Sequence, residues 1–124
     1  RFGRFASRVV EQYVPYAVPQ EHGHHVETRW LALASDAGVR VGIASERPFG
    51  FSASRFRAED LFAALHTSDL VARDETVLHL DVAQRGLGTG SCGPDVLSKY
   101  RVGGGRYRFG WSLAVAAGRG SRGV

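Results

Sequence analysis

A chain of 124 residues that is 44% hydrophobic, 23% charged and 10% aromatic has the composition of one ordinary globular domain, able to bury roughly two-thirds of its unfolded surface. Its formal charge of +4 comes almost wholly from arginine, Lys99 being the one lysine, and the cations are scattered between Arg1, Arg4 and Arg8 and Arg106, Arg108, Arg119 and Arg122. That spacing describes a solvated surface and argues against a nucleic-acid partner, while apolar runs such as Leu113 to Ala117 are far shorter than the ~20 residues of a membrane helix.

In chain order, Arg8–Gln12 reads as a short strand within an apolar lead-in. The segment YVPYAVPQEHGHH follows, where Pro15, Pro19 and Gly23 impose an extended, turn-ended loop. Glu27–Ala34 reads as a strand apolar enough to be covered on both faces, with Trp30 in the core. Ser35–Gly38 is a turn by composition, and Val39, Val41 and Ile43 alternate with Arg40, Gly42 and Ala44 to complete a hairpin. Glu46-Arg47-Pro48 turns the chain again before a third short strand at Phe49, Phe51 and Ala53.

Arg57–His66 is the one helix: Ala58, Leu61, Phe62 and Leu65 form an apolar stripe, and Glu59 and Asp60 occupy the dipole-favoured first turn. From Thr76 to Val82 residues alternate again, Thr76, Leu78, Leu80 and Val82 on one face and Val77, His79 and Asp81 on the other, as in a half-buried strand. A glycine-rich loop, Gly86 to Pro94, carries the only cysteine, Cys92. Tyr100–Val102 resumes a strand and Gly103–Gly105 is a turn or bulge. Arg106–Leu113 is the clearest strand, with Tyr107, Phe109, Trp111 and Leu113 on one face. The tail from Gly118 reads as disordered. The whole is mainly β, an antiparallel sandwich with one short helix, a single sheet with one helix being the alternative.

Chemistry is sparse. His22, His24 and His25 match no zinc spacing, so polar loop residues are the default. Cys92 would be a nucleophile only with a histidine in reach, and it cannot form an internal disulfide, which fits a reducing compartment such as the cytoplasm. Glu21, Asp69, Glu75 and Asp81 could supply paired carboxylates, but acids are too common to be a signal; Asp81 reads as structural. Trp30, Tyr13 and Tyr16 could stack on sugar if exposed. The chain has no methionine and reads as a piece of something longer.

Taken together, YVPYAVPQEHGHHVETRWLAL, PFGFSAS, EDLFAALHTSDLVARDETVLHLDVAQRGLGTGSCGP and YRFGWSL resemble the C-terminal domain, or small chain, of bacterial β-galactosidases of glycoside hydrolase family 2. The resemblance runs from about Glu11 to Leu113. It rests on P-Q-E-x-G at Pro19–Gly23, Arg29-Trp30, L-H-T-x-D-L at Leu65–Leu70, D-x-x-Q-R-G-x-G at Asp81–Gly88 and S-x-G-P at Ser91–Pro94.

The resemblance implies that residues 1–117 are the second half of a sandwich like that of the galactose mutarotase superfamily, with unpaired sheet edges when alone. It implies as partners the first half of that sandwich, the catalytic barrel, a galactoside substrate and a homo-oligomeric parent. Hydrolysis of β-D-galactosides such as lactose, with Mg²⁺ and Na⁺ nearby, belongs to the barrel, so no catalytic residue or metal ligand is expected in this chain. Cys92 falls where the family has a tryptophan that lines the substrate site. A free-standing carbohydrate-binding sandwich is the alternative function.

Overall fold

The structure is a computed structural model that describes residues 3–85, 90 and 93–117; the tail expected at 118–124 lies outside the described residues. It is built on one antiparallel four-stranded sheet. β1 (His25–Ala34) and β2 (Arg40–Ser54) form a hairpin, and β3 (Val77–Asp81) and β4 (Ser112–Ala116) share the far edge of β2. Arg40–Ala44 of β2 pairs with β4, and Gly50–Ser54 pairs with β3. The architecture is thus mainly β, antiparallel and open, a sandwich layer with the one short helix α1 (Ala58–Ala63) expected from sequence.

The hairpin turns where its composition says it should. The Gly38 N–H donates to the Ser35 carbonyl (3.0 Å), and Gly38 takes the left-handed φ of +81° that suits glycine. Beyond it, the separate third strand is a correction: β2 runs unbroken from Arg40 to Ser54. The turn expected at Glu46–Pro48 is a bulge instead. Thr28 pairs with Phe49 and Trp30 with Ala44, so Arg29 alone faces Ser45–Pro48. Pro48 has no N–H to give a ladder, and the bulge accommodates it. A second irregularity in β1 lies between His25 and Thr28, where Glu27 adopts a φ of +57°.

Leu31, Ile43 and Phe49 form the buried centre, with Leu33, Val41, Phe51, Leu78, Leu80 and Phe109 packed around it. The register explains the choice: Leu31 faces Ile43 and Leu33 faces Val41, so both pairs share one side of the pleat. Strand β1 is therefore covered on one face and not two. Trp30, on the other face beside Ala44, is 54% exposed, with the Arg4 guanidinium 5.7 Å above its ring.

Three further elements depart from expectation for one reason: local hydrogen bonds outcompete the regular pattern. Val9–Gln12 is a 3-10 turn and not a strand, because the Glu11 carboxylate accepts the Arg8 N–H (2.9 Å) and the Glu11 N–H returns to the Arg8 carbonyl. The helix stops at Ala63 and not His66. Asp69 accepts the N–H groups of Leu65 (3.1 Å) and His66 (2.8 Å), which a longer helix would need. With only six residues in α1, Leu61 and Ala64 are buried while Phe62 and Leu65 face solvent. The strand expected at Tyr100–Val102 is likewise absent: Tyr100 closes a 3-10 turn over Ser98–Tyr100, its N–H donating to the Leu97 carbonyl (2.8 Å).

The clearest predicted strand, Arg106–Leu113, is the largest correction. The ladder begins only at Ser112, opposite Ala44. Upstream of that point the β2 bulge removes the matching backbone, and the Ser45 hydroxyl donates to the Gly110 carbonyl (2.8 Å) in its place. Phe109 still reaches the core, its ring 5.9 Å from that of Phe49. Tyr107, Trp111, Leu113 and Val115 are exposed.

The corner after β2 is held by charge. Asp60 accepts the Arg57 N–H (2.8 Å) and both Nε (2.6 Å) and Nη2 (2.8 Å) of Arg73. The Arg73 hydrogen bonds first, and the Arg57 N–H second, hold the Asp60 carboxyl well below the usual carboxylate range. A depressed folded pKa gives stability that is fully present above the ordinary aspartate pKa of about 4 and is lost as pH falls through the depressed value. Asp60→Asn is therefore expected to speed hydrogen exchange across residues 57–75 at pH 7. The gap from wild type should narrow below about pH 4, where the unfolded-state carboxyl takes up a proton while the folded one stays ionised down to its depressed pKa. Identical exchange at pH 7 would remove Asp60 from this role.

Candidate functional site

The glycine-rich segment after β3 is the region singled out by sequence. Gly86–Gly88, Thr89, Ser91 and Cys92 lie outside the described residues; what the structure describes is the two roots of the segment and Gly90 between them. Gly90 has a φ of +80° with nothing within 4 Å of a would-be Cβ, so its backbone conformation, and not crowding, is what asks for glycine.

The first root is the end of β3. Asp81 pairs with Gly50 on β2, and its Oδ2 lies 3.6 Å from Nδ1 of His24. That separation is too long for a hydrogen bond and is a charge contact when the imidazole is protonated. A Cβ on residue 50 would overlap the His24 ring. Glycine at this ladder position lets the imidazole lie across β2 and reach the neighbouring strand. Asp81, expected from sequence to be a hydrogen-bonding structural residue, makes this contact with His24 in place of a side-chain hydrogen bond.

The second root is built on Asp95, which sequence reasoning missed. Its Oδ2 receives Arg85 Nη2 and Arg101 Nε (3.1 Å), and its Oδ1 accepts the Val96 N–H (2.8 Å). Arg101 Nε also donates to the Val96 carbonyl (3.1 Å). Arg85 and Asp95 stand ten residues apart on either side of the glycines, so this pair ties the two ends of the segment together. No periodicity or single motif links these three positions, although Arg85 is the arginine of D-x-x-Q-R-G-x-G and Asp95 directly follows S-x-G-P.

The histidines do not converge. His22 Nδ1 donates to the Gln20 carbonyl (2.8 Å), His24 faces Asp81, and His25 pairs its Nε2 with Gln12 Oε1 (2.6 Å) while stacking on Phe51 at 4.6 Å. His22 thus bonds within the loop itself, His24 reaches across β2 toward β3, and His25 ties the start of β1 to Gln12 and Phe51. Among the described residues no three His, Cys, Asp or Glu side chains are placed to hold a metal ion. The candidate carboxylates are also dispersed: Asp69 caps a turn, and Glu75 contacts Arg73 (3.5 Å) and Arg57 (3.6 Å). The hydrogen bond of its own backbone N–H, ahead of those arginine charges, lowers the Glu75 carboxyl. No helix among the described residues is long and apolar enough to cross a membrane.

Residues 1–113 match the family model for the beta-galactosidase small chain. The chain belongs to that family. It is 38% identical over 100 residues to a beta-galactosidase of Arthrobacter sp. (strain B7), covering 76% of this chain and 10% of that protein. It is 36% identical over 115 residues to the beta-galactosidase of Kluyveromyces lactis, covering 92% and 11%. With the beta-galactosidase small subunit of Latilactobacillus sakei the identity is 37% over 100 residues, covering 71% and 31%. The chain thus spans about a tenth of the length of the first two relatives and under a third of the small subunit. Against the small-chain family, the glycine segment and its two roots fall inside the matched region, as do His22, His24 and His25.

Proposed function

We propose that residues 1–117 serve as part of the C-terminal sandwich of a β-galactosidase, supporting the catalytic domain and extending the Gly86–Pro94 segment toward the galactoside. The family match along 1–113 carries this reading, and the small-subunit name of one relative points to a larger partner. The surface supports it as well. On the core side of the sheet Leu113 and Val115 extend the Leu31–Ile43 and Leu33–Val41 rows yet remain open. A second sandwich layer would cover this open face, and the catalytic barrel is the larger partner proposed from the small-subunit name.

In this division of labour the chemistry, retaining hydrolysis through two carboxyl groups, belongs to the barrel, and so do Mg²⁺ and Na⁺. The chain supplies Cys92 as a lining residue where relatives of the family carry a tryptophan. The test is activity of the full-length parent on lactose with and without residues 1–117. Loss of turnover on deletion, restored by supplying the chain in trans, is the expected result; undiminished turnover would reject the role. Cys92→Trp tests the lining position. An indole in place of a thiol adds stacking worth ~1 kcal/mol beyond area, so KM for lactose should fall about fivefold with kcat nearly unchanged. An unmoved KM would remove Cys92 from the substrate site.

A further inference from the structure

Of the two glycines in β2, one has room for a side chain and the other does not. A Cβ on Gly42 would find its nearest neighbour, the Ala114 carbonyl oxygen, at 3.9 Å. A Cβ on Gly50 would overlap Nε2 and Cε1 of His24, while the next atom, the His25 carbonyl oxygen, stands 3.3 Å away. The φ of Gly50 is not positive, so its backbone suits any residue. What asks for glycine at position 50 is the imidazole.

That imidazole makes a contact the sheet would otherwise forbid. The strand order β1-β2-β3 puts β2 between His24, at the entry to β1, and Asp81, the last residue of β3. Strands separated by a third lie about 9.5 Å apart, and their side chains ordinarily meet only the strand between. Gly50 pairs directly with Asp81 and leaves the middle strand bare at that point. His24 Nδ1 therefore comes within 3.6 Å of Asp81 Oδ2, with the two side chains 21% and 32% exposed. Partly covered in this way, the contact is screened less than one in open solvent.

Asp81 is also where the ladder lets go of the chain. Residues 82–85 belong to no strand or helix, and the next fixed point is Arg85 against Asp95. The course of the chain toward the glycine segment is thus set at Asp81 and at the Arg85–Asp95 pair. We propose that His24 is a positioning residue for the galactoside site: by closing over Gly50 onto Asp81 it fixes the point from which the Gly86–Pro94 segment leaves the sheet. The inference rests on the reading above, in which that segment lines the galactoside. His24 acts only through Asp81.

The test uses the full-length parent with His24→Ala, Gly50→Ala and the two combined. His24→Ala should speed hydrogen exchange at residues 80–85 and raise KM for lactose about threefold, the scale of a partly covered charge contact. The kcat should stay within about 1.5-fold, since a residue that matters only for stability would reduce the active fraction and leave KM alone. Gly50→Ala should give the same result by displacing the imidazole while both contact partners remain. Once His24→Ala has emptied the space, adding Gly50→Ala should have no further effect. Should Gly50→Ala fail to fold, Asp81→Asn takes its place in the cycle. Unchanged exchange in the single variants would overturn the contact itself. Faster exchange with an unmoved KM would overturn the proposal through the galactoside reading beneath it. Additive effects of the two substitutions would show that Gly50 answers to something other than His24, and would overturn it as well.

Discussion

Phe49→Ala is expected to be the most damaging single truncation in the described chain, costing about 3–5 kcal/mol. Phe49 is 2% exposed and is the largest fully buried side chain. It stands where β2 regains its register with β1 after the Ser45–Pro48 bulge, opposite Thr28. From there it joins Leu31 and Ile43 in the core centre and holds Phe109, whose own stretch of chain has no ladder. Truncation would therefore open a cavity, loosen the bulge and release the segment that leads into β4. Domains have only about 5–15 kcal/mol of stability to lose, and few of the interior contacts here could compensate. Limited proteolysis of the full-length protein at sites within this chain is the measurement. Phe62→Ala is the control: Phe62 is 92% exposed, and its truncation should change stability by no more than about 0.5 kcal/mol. If the two variants are cleaved at the same rate, the core has been placed wrongly.

What could be read in advance, and what could not, follows from the range over which each force acts. The β1–β2 hairpin was legible because Ser35–Gly38 encodes its own turn and because Leu31, Leu33, Val41 and Ile43 alternate on either side of it. β3 was legible from the same period-two pattern in Val77–Asp81. Tyr107, Phe109, Trp111 and Leu113 show that pattern more strongly, yet most of the stretch is not a strand. Alternation says which side chains share a face; it cannot say that the strand opposite has bulged at Ser45–Pro48. The helix failed at its end for the same kind of reason, since Asp69 captures the Leu65 and His66 N–H groups from three and four residues downstream. At the candidate site, glycine density and Cys92 were visible in one dimension. The Arg85–Asp95–Arg101 cluster and the passage of His24 over Gly50 toward Asp81 depend on where separate segments meet.

Charge reversal at Asp95 is the second large effect expected, and it bears on function. The Asp95 carboxylate separates two guanidinium groups, Arg85 and Arg101, and takes the Val96 N–H on its other oxygen. Asp95→Arg puts a third cation between the first two, so the ends of the glycine segment should repel where they now meet. On the proposed reading, that segment lies against the galactoside in the parent β-galactosidase and contributes no reacting group. Its displacement should cost binding and leave the chemical step alone. KM for lactose is expected to rise about tenfold, with kcat held within about twofold. Adding Arg85→Asp to that variant rebuilds one opposite-charge pair across the roots, and KM should recover by more than the sum of the single effects allows. Additive effects would mean that Arg85 and Asp95 act separately. A fall in kcat at constant KM would place the segment in the chemistry, against the lining role proposed for it. An unchanged KM in the single variant would show that its roots do not set its position at the substrate.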